Sequence, residues 1–177
     1  MANKFATADP HFGHTNVICY CNRPFSSAEE MDDVLIANWN SQVHSNADIV
    51  YVLGDLVPFE KDWQEIHKYV ARLTGDIRLV LGNHDNIQAL QRCPGITVLG
   101  PMHELKIPQS VLVMNHYKMA VWNRSHHGSL HIYGHSHGKS AAGPGVRAMD
   151  VGVDTNNLML YEIEDVIERL SKISVGD

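Results

Sequence analysis

Five times along the chain, a short apolar run breaks off into residues that bind metals or carry protons. The five places are Asp9-Pro10-His11, Gly54-Asp55, Gly82-Asn83-His84-Asp85, His116 after the run 111–114, and Gly134-His135-Ser136-His137. Each run is strand-sized, so each polar set falls just past a strand end. Ligand crevices in α/β folds lie outside the carboxyl ends of strands, and these five segments can therefore converge on one pocket. In Asp9-x-His11 and His135-x-His137, an extended backbone would point residues i and i+2 the same way, toward one ion. Gly54, Gly82 and Gly134 stand where the chain has to turn sharply away from its strand. Twelve histidines in 177 residues exceed what packing requires, and histidine is the commonest metal ligand.

The segments between these motifs read as layered α and β structure. Residues 5–8, 48–53 and 76–81 are expected as buried strands, and helices over 28–43, 60–73 and 87–92. Ser27 and Glu30 form a capping-box pattern, after which Met31, Val34, Leu35 and Trp39 share one helix face. Trp63, Ile66, Val70 and Leu73 do the same in the second helix. The second half is expected to hold strands at 97–99, 104–107, 111–114, 130–133 and 147–153, with Pro108-Gln109 as a hairpin connection and a last helix over 162–171. Helices crowd the first half and strands the second, which predicts a two-sheet sandwich flanked by helices. Residues 138–145, rich in glycine, read as a loop rather than a boundary, so one domain is expected over 1–177.

Composition excludes several function classes. With 44% hydrophobic and 19% charged residues the chain is neither disordered nor low-complexity. Twenty acidic residues against 14 basic ones leave a net charge of −6, which argues against gripping an extended nucleic acid, because phosphate contacts need clustered Lys and Arg. No apolar run reaches membrane-span length, and residues 1–5 carry no signal-peptide core, so a cytoplasmic protein with no membrane association is expected. Cys19, Cys21 and Cys93 cannot all pair, and no second cysteine pair completes a zinc site with Cys19 and Cys21. They read as inert thiols in a reducing compartment.

Taken in order, D-x-H, G-D, G-N-H-D, H and G-H-x-H resemble the calcineurin-like metallophosphoesterases. The stretch from Asp9 to Asn16, with Arg23-Pro24-Phe25 after it, is similar to their small single-domain bacterial and phage branch. The resemblance runs from Asp9 to Asp154 and implies a four-layer α/β/β/α sandwich, two mixed β-sheets flanked by helices. It also implies two divalent metal ions, with manganese foremost and iron, zinc or nickel as alternatives. Asp9, His11, Asp55 and His137 would hold the first ion. Asp55 again, Asn83, His116 and His135 would hold the second. Mixed carboxylate, amide and imidazole donors suit such ions and leave positions open. Two carboxylates against two divalent ions make the pocket cationic inside an acidic chain, which is what a phosphoryl group needs.

The reaction implied is hydrolysis of a phosphodiester in a small substrate, including nucleotide-derived ones, by a hydroxide bridging the metals. A phosphomonoesterase using the same site is the alternative, and a non-catalytic metal-binding scaffold a remoter one. His84 is the candidate acid for the leaving oxygen, with Asp85 expected to accept a hydrogen bond from it and favour the imidazolium. Asp85 also fits as the N-cap of the helix near Asn86. Arg23 is the best placed arginine to clamp a substrate phosphate, the alternative being a surface guanidinium beside a Pro-fixed turn. His14 and Asn16 either line the pocket or tie the first loop to the first helix. Leu56-Val57-Pro58 and Lys118 depart from the family pattern, and both bear on substrate contacts rather than metal binding. Nothing in the sequence points to an oligomeric state.

Overall fold

The computed structural model describes residues 2–108 and 110–174. The chain runs β1 (Lys4–Thr7), α1 (Thr15–Tyr20), α2 (Ala28–Gln42), β2 (Ile49–Leu53), α3 (Trp63–Val70), β3 (Asp76–Val80), α4 (Ile87–Arg92), β4 (Ile96–Gly100), β5 (Met102–Ile107), β6 (Ser110–Asn115), β7 (Leu130–Tyr133), β8 (Ala148–Asp150), β9 (Tyr161–Glu162) and α5 (Ile163–Ser171). Helical crossovers make β1 to β4 parallel, as such connections require. The first sheet has the order β4-β3-β2-β1-β9, with β9 antiparallel to β1. The second has the order β5-β6-β7-β8, in which β5 and β6 are antiparallel and the remaining pairs parallel. Both sheets are mixed, as expected.

Alternation along the strands divides the core. Phe5, Val50, Val52, Ile77 and Leu79 face the helices, where they meet Met31, Leu35 and Trp39 of α2, Ile66 and Val70 of α3, and Leu90 of α4. Ala6, Tyr51, Leu53 and Val80 face the second sheet's Leu112, Met114, Leu130 and Ile132. Ile163, Val166 and Leu170 of α5 join this inner layer. The outer face of the second sheet, with Val111, Val113, Tyr133 and Ala148, packs against Trp122 and Met119. A one-turn 3-10 helix, Ser125–His127, follows directly, so the fourth layer is short.

Register places the site. Leu53 pairs with Val80 and Thr7 with Val52, so β1, β2 and β3 finish level with one another. Hydrogen bonds continue beyond the strands, from Asp9 N–H to Gly54 O, His11 N–H to Asp55 O and Gly134 N–H to His116 O. The loops after β1, β2, β6 and β7 are thereby stitched along one edge. Ala8 also bridges Gly152, which joins the two sheets.

Some local expectations are corrected. Val34 is exposed, and Ile36 takes its place on the buried face of α2. The second long helix begins only at Trp63, because Asp62 caps it by accepting the Gln64 N–H. The strand expected over 147–153 stops at Asp150, whose Oδ1 accepts the Gly152 N–H and turns the chain. Helix α1 and strand β9 carry no pattern long enough to read. Ile107 lies opposite Ser110 across the expected hairpin, while Gln109 is outside the described residues. Among the described residues, no helix is long and apolar enough to cross a membrane.

Candidate metal centre

Five of the candidate ligands sit in left-handed backbone: Asp9 (φ 56°), His11 (56°), Asp55 (55°), His135 (65°) and His137 (47°). The expectation that extended backbone aims the D-x-H and H-x-H pairs is therefore corrected. Each pair is aimed by two left-handed residues, a conformation costing on the order of 1–3 kcal/mol apiece and concentrated at functional sites. The inter-loop hydrogen bonds from Asp9 and His11 help hold it. Gly82 also has a different role from the one expected, since its φ is not positive. A methyl group there would run into the Asp55 carboxylate, so glycine allows close approach rather than a turn.

The side chains converge. Asp55 Oδ2 lies 3.6 Å from both His11 Nε2 and His116 Nε2. Ligand atoms of Asp9, His11 and His137 gather within 4.8 Å of one another, as do those of Asp9, Asp55 and His116. Asn83 Oδ1 is 2.8 Å from His116 Nε2. His135 is exposed, with its ring centroid 5.1 Å from that of His116.

Outer partners orient these groups inward. His116 Nδ1 lies 2.7 Å from the Leu53 carbonyl, which only an N–H can satisfy. His137 Nδ1 is likewise 2.7 Å from Asp154 Oδ2, and His11 Nδ1 is 3.2 Å from His14 Nδ1. Asp9 Oδ2 accepts the His135 N–H at 2.7 Å, and Asp55 Oδ1 accepts the His84 N–H at 3.0 Å. Such partners fix the tautomer and free the other ring nitrogen for a metal.

What they leave over fits cations. Asp9 Oδ1 and His11 Nε2 are buried without a hydrogen-bond partner among the described residues. With Nδ1 donating, His116 Nε2 is a lone pair facing the Asn83 oxygen, an acceptor against an acceptor. Burial pushes the His116 pKa down, so the ring does not resolve the clash by protonating. Two acceptors at that separation are what two ligands of one ion look like. Burial, and next the Asp55 charge, push the Asp9 carboxyl well above the usual range. Burial, and next His137, bring His11 down to about 2. The His11 and His116 imidazoles beside two crowded carboxylates are a donor set that divalent ions would complete.

Two expectations fail. Arg23 is only 5% exposed and all its donors are engaged. Nε and Nη2 donate to Asp154, Nη2 also to Asp9 O, and Nη1 to Pro10 O and the Met31 sulfur. It cannot clamp a phosphate and instead holds Asp154 against His137. Burial raises the Asp154 pKa, but hydrogen bonds from His137 and Arg23 outweigh it and bring the carboxyl to about 2. Asp85 does not support His84. Its carboxylate accepts the N–H groups of Asp55 (2.9 Å), Gly82 (2.9 Å) and Leu56 (3.3 Å), which binds the loops after β2 and β3 together. Nor is it the cap of α4, a role taken by Asn86.

Three carboxylates escaped the sequence reading. Asp154 orients His137. Asp150 accepts the Ser136 hydroxyl and Gly138 N–H and shapes the loop between His135 and His137. Asp32, on α2, accepts the Gly13 N–H at 3.0 and 3.1 Å and anchors the loop carrying Asp9 and His11. An acid following the G-H-x-H motif is the one signal that would have found any of them. Cys21 lies within reach of His137 and Asp154, but burial and next the Asp154 charge raise its thiol pKa, which keeps it protonated.

Asp32 carries a testable consequence. Burial raises its pKa to about 6, so the folded state holds the proton more tightly than the unfolded chain. The stability this contributes is present below pH 4 and lost as pH rises through 6. Asp32→Asn keeps an oxygen for Gly13 without the charge. In urea unfolding from pH 4 to 7, the variant is expected to gain on the parent as pH rises, by on the order of 2 kcal/mol. A constant offset would contradict this.

Comparisons with known proteins agree with the geometry. A family model described as calcineurin-like phosphoesterase matches residues 5–125, a span that includes Asp9 to His116. An uncharacterised protein of Methanocaldococcus jannaschii is 45% identical over 85 residues, 48% of this chain and 48% of its own. The Gene 66 protein of Mycobacterium phage L5 is 34% identical over 94 residues, 52% of this chain and 44% of its own. The chain thus spans about half the length of the curated relatives it matches. Among solved structures, a protein of unknown function from Aquifex aeolicus superposes over 96% of this chain and 100% of its own, with a TM-score of 0.73 at 19% identity. That likeness is one of fold.

Proposed function

The chain belongs to the calcineurin-like phosphoesterase family, and on that premise we propose that it hydrolyses phosphodiester bonds in a small substrate at a two-metal centre. The observation that carries this reading is the set of donors left unmatched at one edge: Asp9 Oδ1, His11 Nε2, and the opposed His116 Nε2 and Asn83 Oδ1. Asp9, His11, Asp55 and His137 would hold one divalent ion, and Asp55, Asn83, His116 and His135 the other. The ions, manganese foremost, would supply positive charge for the phosphoryl oxygens and activate the attacking water.

The chain's own residues do the rest. Asp55, whose Oδ2 lies 3.6 Å from both His11 Nε2 and His116 Nε2, would be shared by the two ions. Arg23 and Asp154 keep the His137 ring turned, and Leu53 O does this for His116. His84 Nε2 is 4.0 Å from Asp55 Oδ2 on a side chain 35% exposed, so it can reach both the centre and a departing oxygen and give that oxygen a proton. The net charge of −6 favours a small substrate over a long nucleic-acid backbone.

The test is a comparison of bis(p-nitrophenyl) phosphate with p-nitrophenyl phosphate on purified, manganese-loaded protein. Faster hydrolysis of the diester is expected. Strong monoester activity with no measurable diester activity would favour a phosphomonoesterase.

A further inference from the structure

Phe59 is a bulky aromatic residue in the wrong place for packing. It is 59% exposed, and the core positions of its segment are already taken by the buried Leu56 and Val57. Its backbone is left-handed, φ 64°, a conformation that suits glycine or asparagine and is an outlier for a large side chain. A single exposed hydrophobe needs no explanation, but one held in strained backbone against the site does. The strain is maintained from the centre itself, since the Phe59 N–H donates to His84 O at 2.9 Å. The ring lies 4.4 Å from the His84 imidazole and 5.6 Å from that of His14, the latter pair nearly perpendicular. A largely exposed aromatic ring thus stands beside the one histidine proposed to protonate the leaving oxygen.

We infer that Phe59 forms a leaving-group subsite, stacking on a planar ring, aryl or nucleobase, carried by the departing alcohol. The inference rests on the phosphodiesterase reading above and adds the substrate class to it. Aromatic faces stack on any planar π system and gain little from a puckered ring of equal size. Phe59 would therefore select for planarity and bring the ester oxygen to His84.

The experiment compares benzyl methyl phosphate with cyclohexylmethyl methyl phosphate, whose leaving groups are both alkoxides of similar bulk. Wild-type protein is expected to favour the benzyl ester in kcat/KM. Phe59→Ala should lose roughly tenfold on the benzyl ester and change little on the other, and Phe59→Trp should keep the preference. Metal content is measured in each variant and should not change. Calorimetric titration with adenosine and ribose gives a readout free of turnover. Binding of adenosine but not ribose, abolished in Phe59→Ala, assigns the ring to a nucleobase. A benzyl preference without adenosine binding assigns it to a plain aryl group, and both results support the subsite. Equal losses on the two esters would overturn it, leaving Phe59 as a support for His84. So would a wild type without ring preference. A wild type inactive on both these esters and on bis(p-nitrophenyl) phosphate would overturn the phosphodiesterase reading, and the subsite with it.

Discussion

Replacing His84 with alanine is expected to slow hydrolysis of an alkyl phosphodiester about 10²–10⁴-fold, the usual contribution of a general acid. The same change should cost clearly less on a nitrophenyl ester, because nitrophenolate leaves unaided and an alkoxide does not. The His84 backbone is committed, its N–H to Asp55 Oδ1 and its carbonyl to the Phe59 N–H, while its ring makes no hydrogen bond among the described residues and keeps Nε2 4.0 Å from Asp55 Oδ2. Metal content should be unchanged, since Asn83 and not His84 is the expected ligand. Asp85→Asn should behave differently, with comparable losses on both esters, because Asp85 ties loops together and does not touch the His84 ring. Equal losses for His84→Ala would make His84 a phosphoryl-stabilising group, and loss of a metal would make it a ligand. The measurement is kcat on the two ester types, with metal analysis of each variant.

Asp55→Asn is expected to bring hydrolysis to the uncatalysed background and to release both ions. An amide offers one neutral oxygen where a carboxylate offers two charged ones, and its NH₂ would turn toward His11 and His116. His116→Ala should weaken only the second ion. The same substitution has an opposite effect that does not depend on activity. In metal-free protein the Asp55 charge helps force the Asp9 carboxyl upward, so removing it relieves a buried repulsion. Metal-free Asp55→Asn should therefore resist urea better than metal-free wild type, whereas loaded wild type should exceed both. Urea midpoints with and without metal check the order.

How much of this was legible depended on range. Apolar runs ending in Asp, Asn and His revealed the strands, and parallel register then brings those ends to one edge. Conformations and partners set by other loops left no local mark. The left-handed turns at Asp9 and His11 are held by hydrogen bonds to the loop after β2, and the His135 N–H is taken by the Asp9 carboxylate, so a D-x-H spelling alone looks extended. Arg23 finds Asp154 131 residues away, and Asp85 finds the Asp55 N–H 30 residues away. Their chemistry suggested substrate and catalysis because the groups that consume them are distant in sequence. Phe59 carried no pattern at all. Its meaning lies in a backbone angle and a neighbouring ring.

The most direct test of a two-metal phosphodiesterase is a titration of chelator-stripped protein with Mn²⁺, following bound metal and bis(p-nitrophenyl) phosphate hydrolysis in one sample. The donor set described predicts no activity in the stripped protein, two ions bound per chain, and a rate that reaches its plateau only with the second. Full activity in the stripped protein, or a plateau at one ion, would contradict it.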